Sequence, residues 1–217
     1  MCLRDWARLN PLALYRGPLT IEDVLNSKII SSPVHQLECN MLADGATAFV
    51  LARAEDARHM VSTPAYVRGF GSRFTHHKLS AMTDITDMGF AGAAQDAYEM
   101  AGMTPADVDL AELYDAYPVF CLLTLEQLGL CARGEAGPMV LEGACSPGGR
   151  LPLCTNGGML SQGHTGIGGG LGLFLEGVRQ LRGQCGERQV ADATTALATS
   201  SGGTYMDAHV TILSVEP

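Results

Sequence analysis

No Cys-x-x-Cys pair occurs in the 217 residues, although there are seven cysteines. Cys2, Cys39, Cys121, Cys131, Cys145, Cys154 and Cys185 are odd in number and widely spaced. That excludes a zinc knuckle and a thioredoxin-type redox site. The six histidines are scattered too, and only His76 and His77 are adjacent. Sequence neighbours rarely chelate one ion, so no metal site is expected. Basic residues are in deficit, 14 Lys+Arg against 23 Asp+Glu for a net charge of -9, which excludes general nucleic-acid binding. No apolar run approaches the ~20 residues of a membrane helix. The start, Met1-Cys2-Leu3-Arg4-Asp5-Trp6, has no apolar signal core, which points to a cytoplasmic protein. Repeats and low-complexity tracts are lacking as well. Hydrophobic residues reach 47% and charged ones only 17%, a balance that folds into about one domain with a sizeable core.

What is abundant is glycine, 26 residues concentrated between Gly143 and Gly177 and again at Gly202-Gly203. A density this high without a Ser-rich polar background reads as a tight functional loop rather than a linker. Along the chain, residues 1–40 look irregular. Leu12 to Tyr15 could begin a short helix, and Thr20 followed by Asp23 predicts a capped helical turn. The apolar run Ala46–Leu51, after the Asp44-Gly45 turn, predicts a buried strand. Ala54–Met60 predicts a short helix ending near Thr63-Pro64.

From Ala65 the rhythm becomes regular. Strands are expected at 65–69, 109–113, 151–155, 192–199 and 209–215. Helices are expected at 88–103, 119–130 and 168–181, the last with Leu171, Phe174, Leu175 and Val178 on one face. This β-α-β-α-β-α-β-β order implies an α/β fold, a mixed and mostly parallel sheet with helices packed on it.

Three clusters carry chemistry. In Asn156-Gly157-Gly158-Met159-Leu160-Ser161-Gln162-Gly163-His164-Thr165-Gly166, glycines on both sides of an imidazole precede a helix N-terminus. Such a place suits an oxyanion, a thioester carbonyl or a phosphate, against the alternative of a packing turn with His164 merely exposed. Glu112-Leu113-Tyr114-Asp115-Ala116-Tyr117-Pro118 follows a strand, where open α/β sheets bind ligands. Its phenols and carboxylates suit substrate orientation or proton transfer, unless the tyrosines only pack and Asp115 only caps a helix. Thr199-Ser200-Ser201-Gly202-Gly203-Thr204-Tyr205 reads as a hairpin loop first and an anion nest second.

Taken together, these pieces resemble the C-terminal half of a thiolase. The order is a strand, Tyr114-Asp115-Ala116-Tyr117 and a helix, then the Asn156–Gly166 loop, then a glycine turn between two final strands. Cys39-Asn40-Met41-Leu42-Ala43-Asp44-Gly45-Ala46-Thr47-Ala48-Phe49-Val50 resembles the segment ending the family's N-terminal half. The resemblance implies two regions, 1–63 as the tail of that half and 64–217 as the C-terminal domain. The family's nucleophilic cysteine lies upstream of anything matching residue 1, and none of the seven cysteines matches it. Tyr114 stands where the family has its catalytic Asn or His, Ser200 where it has its second cysteine, and His164 keeps the G-H-P histidine although Thr165 replaces the proline.

These departures disfavour thiolysis or Claisen condensation, which need a thiolate and a second acid/base thiol. A hydroxyl at Ser200 is too weak an acid near neutrality. The pattern is similar instead to steroid side-chain-cleaving acyl-CoA aldolases of thiolase fold, which work with an OB-fold partner. On that resemblance Tyr114, His164, Asp115 and Tyr117 are the catalytic candidates. Gly163, Gly166, Ser200, Gly202 and Gly203 form the substrate and oxyanion loops. The expected substrate is a coenzyme A thioester, with no permanently bound cofactor. Alternatives are an acetyl-CoA acyltransferase-type lobe and a non-catalytic CoA-ester-binding subunit. The apolar 168–181 helix suggests burial between two layers, hence self-association or a partner chain supplying the missing half.

Overall fold

A computed structural model describes residues 1–61 and 63–217. The chain opens with helix α1 (Cys2–Leu9), then α2 (Ile21–Leu25), a small hairpin of β1 (Ile29–Ser31) and β2 (Val34–His35), and α3 (Ala54–Met60). Next come β3 (Tyr66–Phe74), α4 (Phe90–Ala101), β4 (Leu110–Glu112), α5 (Pro118–Gln127), α6 (Ala136–Leu141) and α7 (Gly158–Ser161). Helix α8 (Gly169–Leu181) leads into β5 (Thr195–Ser200) and β6 (Asp207–Ser214).

Four strands form one sheet in the order β3-β6-β5-β4. β6 runs antiparallel to both β3 and β5, and only β5 and β4 are parallel. The expectation of a mostly parallel sheet is therefore corrected, because the last strand returns by a hairpin and inserts beside β3. The strand expected at 151–155 is a single bridge, Ala111 to Leu153.

One face of the sheet is sealed by α4. Gly69 and Gly71 on β3 have no side chain to hold the helix off. A Cβ at Gly71 would lie 1.8 Å from the Ala93 carbonyl oxygen, and one at Gly69 2.0 Å from that of Ala97. Ala93, Ala97, Ala208, Val210 and Ile212 fill this layer with no exposed surface. The other face is covered by α8 over β5, β4 and the Leu213 end of β6, and the remainder becomes a cavity wall.

Helix α8 does not fully bury its apolar face within this chain. Its apolar stripe of Leu171, Phe174, Leu175 and Val178 is half-buried or exposed. The buried stripe includes Glu176, Gly177 and Gln180. The cause is a polar network. Arg188 donates to both Glu176 oxygens at 2.6 and 3.1 Å, while Gln180 Nε2 donates to Thr155 Oγ1 and the Arg188 carbonyl at 2.8 and 2.9 Å. Glu112 accepts from Thr155 N–H at 3.0 Å. Burial and the neighbouring Glu176 hold the Glu112 carboxyl well above the usual carboxylate range.

The N-terminal region differs from its reading in two places. Residues 2–9 form α1, whose buried Trp6 donates Nε1–H to the Cys145 carbonyl at 2.8 Å. The turn at Leu12–Tyr15 is not helical. The capping box of Thr20 and Asp23 starts α2, and α3 has the expected ends. Ala46–Leu51 forms no strand, and Val50 and Leu51 are 84% and 82% exposed. A strand needs a neighbour to take its backbone bonds, and this run has none among the described residues. Residues 41–51 lie as a strap, tied by His164 N–H to the Met41 carbonyl at 2.6 Å and by Ala43 N–H to the His164 carbonyl at 3.0 Å. Among the described residues no helix is long and apolar enough to cross a membrane.

Candidate active site

The strap bonds fix the backbone of His164 between α7 and the tight turn Gly166–Gly168 that opens α8. The ring is buried, and its Nδ1 accepts the Gly166 N–H at 3.0 Å. A nitrogen that accepts cannot carry the proton, so the imidazole is neutral with its hydrogen on Nε2. Burial also lowers its pKa, in the same sense. That Nε2 lies 3.1 Å from the Tyr114 hydroxyl.

Tyr114 leaves the end of β4, where its N–H donates to Thr199 Oγ1 at 2.9 Å. Its ring meets those of His164 and Tyr205 edge-on, each at 5.9 Å. Burial, then Asp115 and Asp207, raise the phenol's pKa. The pair opens into a cavity of about 750 Å³. Its floor is Ser200 at the end of β5, crossed by the backbone of Gly170, where a Cβ would lie 2.7 Å from Ser200 Cβ. The β5–β6 loop closes one side. Ser201 Oγ donates to the Asp207 carbonyl at 2.7 Å, and the Gly202 N–H donates to the Asp207 carboxylate.

A family model described as thiolase C-terminal domain-like matches residues 71–215. The chain belongs to that family. This thiolase-like chain is 38% identical over 208 residues to the "Steroid side-chain-cleaving aldolase" of Thermomonospora curvata, covering 92% of this chain and 52% of that protein. It is 35% identical over 206 residues to the "Acetyl-CoA acetyltransferase" of Methanothermobacter thermautotrophicus, covering 94% and 54%. The solved "Ltp2-ChsH2(DUF35) aldolase" superposes with a TM-score of 0.83 at 32% identity over 98% of this chain and 56% of that one. The chain thus spans about half the length of the relatives it matches.

In this thiolase-like fold Tyr114, His164, Gly166, Ser200, Gly202 and Gly203 meet around one cavity, though Tyr114 and His164 are 50 residues apart. Three other candidates lie elsewhere. Asp115 is fully buried away from the cavity, accepting from Met159 N–H at 2.8 Å and Leu160 N–H at 3.1 Å. It anchors α7, the element before His164, and burial pushes its pKa up to about 6. Tyr117 precedes α5 at the surface, its ring against Phe120. Gly163 sits under the strap, where a Cβ would lie 2.8 Å from Ala43 Cβ.

Sequence reading missed Phe70, Asp207, His209 and Thr211 on the cavity wall. The signal was the alternation Asp207-Ala208-His209-Val210-Thr211-Ile212, which puts every polar residue on one face. None of the seven cysteines lines the cavity. Burial is the first cause raising every one of their pKa values, which leaves no activated thiol among them.

Proposed function

We propose that this chain supplies the acid–base half of an acyl-CoA-processing enzyme that cleaves a C–C bond beside a thioester, in the retro-aldol sense. The observation carrying this reading is the Tyr114–His164 contact on the cavity wall. In cleavage a β-hydroxyl proton passes to the Tyr114 oxygen. The Nε2–H of His164 stabilises the Tyr114 phenolate that takes this proton, and then the negative charge that develops on the neighbouring thioester oxygen. Because Tyr114 rests as a phenol of raised pKa, the rate of cleavage climbs with pH as the phenolate forms. A further, steeper fall follows below the ordinary imidazole range, where His164 must give up the Gly166 bond to take a proton.

The acetyltransferase-like relative motivates the competing reading, but Ser200 and seven suppressed thiols favour aldol chemistry for the residues of this chain. Residues 1–63 then read as the end of a preceding half and 64–217 as the C-terminal domain. The exposed apolar side chains of Leu42, Val50 and Leu51 are the surface we assign to a companion half, and the two-component name of the solved aldolase supports a partner chain, for which the resemblance implies an OB fold. The test is incubation of the native assembly with a 3-hydroxyacyl-CoA in the absence of free coenzyme A. A ketone or aldehyde plus a shortened acyl-CoA is expected, whereas no cleavage of that substrate together with thiolysis of a 3-oxoacyl-CoA on addition of free coenzyme A would establish the transferase instead.

A further inference from the structure

The cavity holds a second titratable group that the reading above leaves unused. Across the sheet, Ser72 of β3 pairs with His209 of β6, and His209 pairs with Ser200 of β5. Directly opposed residues of antiparallel strands share a face, so these three stand in one row on the side away from α4. Ser72 Oγ lies 3.0 Å from His209 Nδ1, and His209 Nε2 lies 3.6 Å from Asp207 Oδ2. Asp207 is itself held by the Gly202 N–H and the Ser201 hydroxyl. The Phe70 ring stacks on the imidazole, centroids 6.2 Å apart and planes 17° from parallel.

The position is as informative as the bonds. His209 and Asp207 line the same cavity as Tyr114 and His164. Ser200 adjoins both groups, since a Cβ at Gly170 would contact Ser200 and the Tyr114 ring alike. Ser72, by contrast, is exposed on the edge strand. The imidazole is therefore oriented by a carboxylate on one side and linked through a hydroxyl to solvent on the other.

We propose that His209, aligned by Asp207 and reloaded through Ser72, delivers the proton to the α-carbon of the thioester. The step rests on the C–C cleavage reading. The substrate O–H bond breaks and its proton goes to the Tyr114 phenolate, which returns it to solvent after turnover, while the O–H electron pair forms the new carbonyl. The Cα–Cβ electron pair passes into the thioester enolate. That enolate then forms a Cα–H bond as an N–H bond of the His209 imidazolium breaks, and the ring regains a proton from solvent past Ser72. Where a family thiol would move this proton, Ser200 cannot, and its cross-strand neighbour can.

The native assembly is incubated in D2O with butyryl-CoA, and deuterium at the α-carbon is followed by mass spectrometry. Wild type should exchange, and a folded His209→Gln should exchange about 100-fold more slowly. Ser72→Ala and Asp207→Asn, which serve if His209→Gln does not fold, should each slow exchange measurably. Unchanged exchange in the folded variants, or none in wild type, overturns the proposal. Cleavage of a 3-hydroxyacyl-CoA run in parallel separates the two readings. Cleavage with His209-independent exchange removes this proposal alone, whereas His209-dependent exchange without cleavage removes the cleavage reading and overturns the proposal with it.

Discussion

The sheet region and the strap contain the same kinds of residue and end in opposite states. Val210, Ile212, Ala196 and Leu197 in the central strands have no exposed surface, while Leu42, Val50 and Leu51 in the strap exceed four-fifths exposure. Hydrophobicity alone does not decide between these outcomes. In the sheet, each strand has a neighbour for its backbone and a helix for its side chains. The strap's backbone is held by the pair of bonds at His164, and its Phe49 meets Phe174 edge-on at 5.0 Å. It follows that whatever covers the strap also presses on the residue that orients Tyr114, so assembly and site geometry are coupled through a single backbone position.

Substitutions can sharpen this contrast. The largest effect is expected at Trp6, which precedes the strap in the chain yet is buried against the Cys145 loop like a core residue. Trp6→Ala should cost about 3–5 kcal/mol, read as a lower urea midpoint at unchanged slope. Next is the pH dependence of the buried carboxyls. Burial raises the folded pKa of Asp115 to about 6 from an ordinary 3.8, so the folded state holds the extra proton between these values. This group therefore lowers stability above its folded pKa and ceases to do so as pH falls toward the unfolded one, a span worth about 3 kcal/mol. Glu112 acts in the same direction. The unfolding midpoint should rise as pH falls from 7 to 5, and Asp115→Asn should flatten that rise. The smallest stability effect belongs to the strap. Val50→Asp should change the stability of the chain by less than about 0.5 kcal/mol but weaken association with a companion, measured by native mass. A large loss of stability there would erase the contrast.

How much of this was readable in the residues depends on how local the cause is. The Thr20–Asp23 capping box and the ends of α3 and α8 follow from neighbouring residues and formed nearly as read, while α5 takes in Pro118 and stops at Gln127 where 119–130 was expected. Helix α1 was missed because Trp6 and Ala7 find their partners some 140 residues away. The 46–51 run looked like a strand because apolar patterning carries no information on whether a neighbour exists. Strand direction was misjudged because the insertion of β6 between β3 and β5 is a matter of topology. At the site, Tyr114 and His164 stood out by composition, yet their hydrogen bond depends on Gly166 fixing the tautomer. Asp115 looked like a proton-transfer partner of Tyr114 because they are adjacent, but adjacent residues leaving a strand point to opposite sides, and its carboxylate went to α7. His209 was hidden by a strand start drawn at that residue, which left Asp207 in the turn.

The central claim is that the Tyr114 hydroxyl moves the substrate proton, and its most direct test is Tyr114→Phe in the native assembly. The measurements are 3-hydroxyacyl-CoA cleavage and, separately, binding of the CoA ester. The substitution removes one oxygen and leaves the ring against His164 and Tyr205. The account predicts a fall in turnover of about 100-fold or more, loss of the alkaline rise in the pH–rate profile, and binding within a few-fold of wild type. Turnover at the wild-type rate with the same pH profile would contradict it.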